Sequence, residues 1–427
     1  MSTKPSWLSD GLDHIWLPYT QMKTVPAPLA VKSASGARLT LEDGRELIDG
    51  ISSWWTTVHG YCHPHIEAAV QEQMKILPHV MLGGLAHEQA YRLASRLSAI
   101  CPGDLSRVFF SESGSVSVEI AMKMAVQYWL NKGSRRTRFL SFKGGYHGDT
   151  FMTMSVCDPE EGMHSLFTGV VPDQLVVALP TDEPSIAAFE KTLERYGHEI
   201  AAIVMEPLVQ GAGGMVFHSI ETLARIRAAC DAHNILLILD EIFVGFGRLG
   251  SLFACDQAGV VPDIMTISKA LTGGTLPLAA TIAREHVFEA FYTDNAGDAL
   301  MHGPTYMGNA LACAAANASL DLFESEPRLD QVRGIEKGLK EGLAPARDIA
   351  GVVDVRTRGA IGVIQVEEMQ GLDDLKARFV EAGVWIRPFR DIIYTTPPYV
   401  ISEEDLAALT RTMVEVTHDW AKATDLA

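Results

Sequence analysis

Between residues 107 and 283 one pattern recurs: a short apolar run, then a stretch of helix length with polar residues interleaved. The runs occupy 107–111, 138–142, 175–179, 201–205, 235–239, 264–267 and 278–283. Strands buried on both faces read as continuous apolar runs, and strands separated by helix-length segments lie parallel. The pattern predicts an α/β fold with a seven-stranded, mainly parallel sheet in a large domain. Ligands of such sheets bind beyond the carboxyl ends of the strands. Residues that follow the runs are therefore where chemistry is to be sought.

The chain ends have a different texture. Residues 37–49 hold Asp43-Gly44 between two short alternating runs, a β-hairpin signal. After about residue 320 the order becomes helix, strand, helix, with runs at 352–356 and 361–366 and a last helix opening at Ser402. A length of 427 residues exceeds what one core serves. The expectation is a large domain over 61–320 and a small α+β domain built from 1–60 and 321–427. A net charge of -18 argues against nucleic acid or an anionic membrane as partner. The six cysteines form no Cys-x-x-Cys pair, so neither a metal nor a redox site is expected from them. With no apolar leader and no uncharged run near the roughly 18 residues that span a bilayer, the expected location is the cytoplasm.

Two of the runs deliver a charge. The run at 235–239 ends in Asp240-Glu241, and that at 264–267 in Ser268-Lys269 before Gly273-Gly274. A carboxylate and a lysine at neighbouring strand ends are what pyridoxal 5'-phosphate (PLP) chemistry requires: an amine to form a Schiff base, and an acid to keep the pyridine nitrogen protonated. Glu112-Ser113-Gly114-Ser115 follows another run and opens a helix, which presents free N–H groups and the positive end of a dipole to a phosphate. A plain serine cap is the other reading of that loop. The run ending at Phe142 leads into Lys143-Gly-Gly-Tyr146-His147-Gly148-Asp149, where glycines admit a flat ligand and Tyr146 can stack on it. His147 reads as a loop histidine satisfied by its surroundings rather than as a metal ligand.

In this order, Ser113-Gly114-Ser115, Gly145-Tyr146-His147-Gly148, Asp240-Glu241, Gly245-Phe-Gly-Arg248, Ser268-Lys269 and Gly303-Pro304-Thr305 resemble the motifs of the class III aminotransferases, PLP enzymes of fold type I. The likeness spans most of the chain. Tyr19, Ser52-Ser-Trp54-Trp55, His59-Gly-Tyr61, the segment 301–309 and Arg387 narrow it to the branch that aminates 8-amino-7-oxononanoate with S-adenosylmethionine in biotin synthesis.

The resemblance implies PLP as cofactor, with Lys269, Asp240 and Tyr146 catalytic. Gly114 and Ser115 would bind its phosphate, joined by Pro304 and Thr305 from the second subunit of a homodimer. It also implies a substrate site of Tyr19, Trp54, Tyr146, Lys269, Gly303 and Arg387, the arginine taking the oxononanoate carboxylate. Trp55 is expected to be structural, while Asp149 and Arg248 are further polar candidates. Phe243 and Val244 stand where many class III chains carry a small residue and threonine, which adds bulk beside Asp240. Lysine as amino donor, or an ω-aminotransferase using 2-oxoglutarate, are the alternative activities.

Overall fold

The computed structural model describes residues 5–159 and 165–424. Two compact units emerge, one from the chain up to His63 together with Arg333 onward, the other from Pro64–Val332.

The larger unit is built on seven strands: β1 (Leu105–Ser111), β2 (Arg138–Phe142), β3 (Leu175–Val177), β4 (Ile200–Met205), β5 (Leu236–Asp240), β6 (Ile264–Ile267) and β7 (Ala279–Arg284). Their order is β1-β7-β6-β5-β4-β2-β3. Only β7 runs antiparallel to its neighbours. Every residue of β4, β5 and β6 is buried, which is why each reads as unbroken apolar sequence. Of the run at 175–179 only Leu175–Val177 is strand, paired with β2 at the sheet edge. β5 is shifted by one residue, so Asp240 belongs to its last rung, opposite Thr266.

Helix Gly114–Asn131 starts just beyond β1 and lies across the sheet, its buried face joining Phe139, Ala202, Val204, Leu236 and Ile238 in one core. Trp129 Nε1 donates to the Ala201 carbonyl at 2.9 Å, so the one polar atom of that ring is satisfied inside the core. Helix Ala310–Ser325 packs on Pro64–Ile76 and Glu88–Ile100. That packing carries the unit past residue 320 to Val332.

The smaller unit has two sheets. In the first, Val31–Ser35, Arg38–Leu41 and Glu46–Asp49 form an antiparallel meander, and Val384–Trp385 adds a parallel strand to Glu46–Asp49. Gly44 takes φ +87° in the Asp-Gly turn, a conformation glycine adopts without strain. The second sheet is antiparallel, with Ile361–Val366 between Val352–Arg358 and Ile392–Thr395. The last helix, Glu403–Ala423, is capped by Ser402, which accepts from the Asp405 N–H at 3.0 Å. Among the described residues no helix is long and apolar enough to cross a membrane.

Ile238 sits at the middle of the central strand with no exposed surface. Ile238→Ala is expected to cost about 2–5 kcal/mol, read as a fall in the urea midpoint; an unchanged midpoint would contradict the packing described.

Candidate active site

The carboxyl ends of β1, β2, β4, β5 and β6 meet at one end of the larger unit's sheet. Asp240 lies there, buried. Its Oδ2 is 2.9 Å from His147 Nδ1, and its Oδ1 accepts from the Ile242 N–H at 3.2 Å and the Thr266 hydroxyl at 3.3 Å. A buried carboxylate is tolerable only with such partners. His147, buried too, is thus the brace of Asp240, a role that a reading as an ordinary loop histidine leaves out.

Glu206 follows β4 directly and is also buried. It accepts from the Tyr146 N–H at 3.1 Å and the Gly211 N–H at 2.8 Å. Burial pushes its pKa up to about 7. Sequence reasoning passes over Glu206, although an apolar strand delivering a carboxylate is the same signal that marks Asp240. Lys269 opens the short 3₁₀ turn Lys269–Thr272 after β6. Burial lowers its pKa from the ordinary lysine value, and the carboxylates Asp240, Glu206 and Asp149 oppose that shift. The amine is held towards its neutral form while three acids surround it.

The anion cradle is built by close approach. Ser113 caps helix Gly114–Asn131, accepting from the Val116 N–H at 3.3 Å, so the plain-cap reading is correct for Ser113 and leaves Gly114 and Ser115 at the helix start. Ser115 Oγ accepts from the Asp149 N–H at 3.3 Å. Gly148 has φ +126°, and a Cβ there would overlap Ser115; the chain passes only because no side chain is present. The same loop is pinned on its other side by Gln210, whose Nε2 donates to the Lys143 carbonyl at 2.8 Å, and by the Gly144 N–H donating to Asp158 at 2.6 Å. Tyr146 projects from this loop and its hydroxyl donates to Asp149 Oδ1 at 3.0 Å.

These residues fit PLP. A helix start beside a glycine-bounded cradle suits the phosphate, a braced buried carboxylate suits a pyridinium N–H, and a depressed lysine suits the aldehyde. The structure brings Gly114, Ser115, Tyr146, Asp240 and Lys269 together at these strand ends. Gly303, Pro304 and Thr305 lie in the larger unit on a stretch with exposed neighbours, Met301 at 79% and Tyr306 at 58%. The Thr305 carbonyl is 3.1 Å from His79 Nε2.

In the smaller unit Tyr19, Trp54 and Arg387 form a cluster of their own. The Tyr19 and Trp54 rings meet edge-on at 5.8 Å, and the Arg387 guanidinium lies over the Trp54 ring at 4.7 Å. Trp55 is buried and meets Tyr394 edge-on at 6.3 Å. Residues 52–55 are a left-handed turn, with φ of 50°, 58°, 108° and 72°, and none is glycine. Such a conformation costs about 1–2 kcal/mol per L-residue.

Glu241, Phe243, Val244 and Arg248 are all buried. Glu241 accepts from the Ala254 and Cys255 N–H groups, both at 2.9 Å, so it caps the 3₁₀ turn Ala254–Ala258. The Phe243 ring fills the space above Gly211, where a Cβ would come within 2.8 Å of it.

Burial pushes the Glu241 pKa up to about 7. Because an unfolded glutamate titrates near 4.3, the protonated form favours the native state: its contribution is complete below about pH 4 and is lost as pH rises to about 7. Glu241→Gln is expected to flatten the decline in stability between pH 5 and pH 8 by on the order of 1–3 kcal/mol, measured as denaturation midpoints across that range. Parallel profiles for the two proteins would contradict the assignment.

Comparisons with known proteins show the family. Residues 19–417 match the family model of aminotransferase class-III. The chain is 46% identical over 94% of its length to adenosylmethionine-8-amino-7-oxononanoate aminotransferase of Mycobacterium leprae, of which it covers 94%. The crystal structure of the enzyme of that name from Methanocaldococcus jannaschii superposes with a TM-score of 0.92 at 31% identity, over 97% of this chain and 98% of that one. An amine transaminase from an uncultivated Pseudomonas species, solved in its PLP-bound form, gives 0.87 at 29% identity over 95% and 98%. With a family model matched over nearly its whole length and a relative 46% identical over 94% of it, this chain belongs to the class III aminotransferases.

Proposed function

We infer that this chain moves the α-amino group of S-adenosylmethionine to 8-amino-7-oxononanoate, giving 7,8-diaminononanoate in biotin synthesis. The observation that carries the reading is a shared name among curated relatives. Those at 43–46% identity over 93–94% of this chain are all named adenosylmethionine-8-amino-7-oxononanoate aminotransferase. The Tyr19, Trp54 and Arg387 cluster supports it by offering an aromatic face and a cation to a chain with a terminal carboxylate.

PLP, on which the family depends, supplies an aldehyde that exchanges its oxygen for an amino group and a ring that draws electrons from the adjacent carbon. The chain's own groups then divide the work. Asp240, oriented by His147 and Thr266, offers its carboxylate to a ring N–H. The Lys269 amine, kept towards neutrality by burial, accepts a proton from the substrate carbon and returns it. Gly114 and Ser115 hold the phosphate, and Tyr146, fixed by Asp149 and Glu206, covers the ring. Arg387 binds the oxononanoate carboxylate in bidentate fashion, Trp54 and Tyr19 pack on its aliphatic chain or the adenine, and Gly303 contributes to substrate binding. Pro304 and Thr305 contact the cofactor phosphate of a second copy in a homodimer, which agrees with the exposure of Thr305 and its neighbours. The cytoplasm is the proposed location.

Mixing the cofactor-loaded protein separately with S-adenosylmethionine, lysine and glutamate identifies the donor. S-adenosylmethionine alone is expected to bleach the visible absorbance of the bound cofactor. Bleaching by lysine or glutamate instead would select one of the alternative activities. Lys269→Ala is expected to abolish turnover and to change that absorbance. Arg387→Ala should weaken use of the oxononanoate by roughly 30-fold or more while the reaction with the donor changes less; equal losses in the two half-reactions would remove Arg387 from its role.

A further inference from the structure

The left-handed turn at Ser52, Ser53, Trp54 and Trp55 is the most strained described segment of the chain. Local sequence does not ask for it, since no glycine or asparagine is present to make positive φ inexpensive. Strain of this kind persists only where the surroundings over-determine it, and it gathers at functional sites.

What over-determines it is Asp49. This residue ends the strand Glu46–Asp49 and has 0% exposed surface. Its Oδ1 accepts from the Ile51 N–H at 2.8 Å, and its Oδ2 accepts from the Ser53 N–H at 2.8 Å and the Tyr61 hydroxyl at 2.7 Å. Both oxygens are thus engaged at the mouth of the turn. Ser52 Oγ donates to the Thr396 carbonyl at 2.7 Å, and Trp55 is sunk into the core against Tyr394. Between these two fixed points, the Trp54 ring meets Tyr19 and Arg387.

The other half of the cluster is tied to the same residue. Asp49 stands opposite Trp385 in the parallel pairing, and the Gly50 N–H donates to the Trp385 carbonyl at 2.9 Å. Ile386 then fills the space beside Gly50, where a Cβ would lie 2.6 Å from its Cγ2. Arg387 is the next residue. One backbone rung and one carboxylate therefore set both the tryptophan ring and the guanidinium that lies over it.

We propose that Asp49 is a positioning residue for substrate, holding the left-handed turn that sets Trp54 under Arg387. The proposal rests on the substrate role of Trp54 and Arg387 inferred above. Asp49 touches no substrate and acts through Trp54.

Asp49→Asn keeps the size of the side chain but turns an N–H₂ towards one of the donors it must accept from. In the cofactor-loaded enzyme it is expected to raise KM for 8-amino-7-oxononanoate by roughly 10-fold or more, since small misplacements of positioning groups carry penalties of this size. The visible absorbance of the bound cofactor is expected to stay as in the parent. The double variant D49N/W54A should be no worse than W54A alone. A D49N enzyme with lowered kcat at unchanged KM, or effects of D49N and W54A that multiply, would make Asp49 merely structural and overturn the proposal. Should D49N fail to fold, Tyr61→Phe removes one of the three hydrogen bonds and carries the same test, with a smaller rise in KM expected and no rise overturning it. A Trp54→Ala enzyme with parental kinetics would instead remove the substrate role of Trp54, and the proposal with it.

Discussion

Everything at the cofactor end of the sheet hangs on the burial of one carboxylate. Asp240 is carried out of water by the central strand, and removing a carboxylate from water without compensation costs several kcal/mol. His147, Thr266 and the Ile242 N–H provide the compensation, and they come from three different segments. The loop after β2 is consequently not free to choose its path. His147 must reach Asp240, and Tyr146, one residue earlier, must donate its N–H to Glu206. Gly148, one residue later, can then pass Ser115 only as glycine. The path of Tyr146 and the close approach of Gly148 to Ser115 follow from satisfying a single buried charge.

Much of this was legible in the sequence because buried parallel strands leave a plain mark. All seven runs became strands of one sheet, since strands with no solvent-facing side cannot carry alternating polar residues. The departures are also physical. The larger unit runs on to Val332 because helix Ala310–Ser325 needs Pro64–Ile76 to cover it. The two-residue strands Val209–Gln210 and Val216–Phe217 are too short to show a period at all. In the site, charge at a strand end identified Asp240, and the same rule covers Glu206. It does not separate Asp240 from Glu241, which differ only in which face of the chain they leave from. The turn at 52–55 lay beyond reach, because positive φ is read from glycine and asparagine, and Ser-Ser-Trp-Trp has neither.

The two units solve the problem of placing a side chain by opposite means. Around the cofactor cradle, Gly144 and Gly148 take positive φ and let backbones approach without strain. The aromatic cluster with Arg387 instead uses full-sized residues in a conformation they resist, held by buried hydrogen bonds. The first arrangement tolerates a rigid, common cofactor; the second yields a side-chain direction that an unstrained turn would not supply. The loop beside Ser115 is thus placed without backbone strain, and the Trp54 ring under Arg387 is placed under load.

The pairing of Glu46–Asp49 with Val384–Trp385 joins strands that are more than three hundred residues apart in the chain. The larger unit is one continuous segment, so it can complete its fold while synthesis is still under way. The first strands of the smaller unit cannot: at about 5–20 residues per second they remain without their parallel partner for tens of seconds after leaving the ribosome. During that interval the edge of Glu46–Asp49 offers unpaired N–H and C=O groups and an apolar face. A protein of this architecture therefore carries its greatest exposure to misassembly and chaperone capture at its amino terminus during translation, long after those residues have been made.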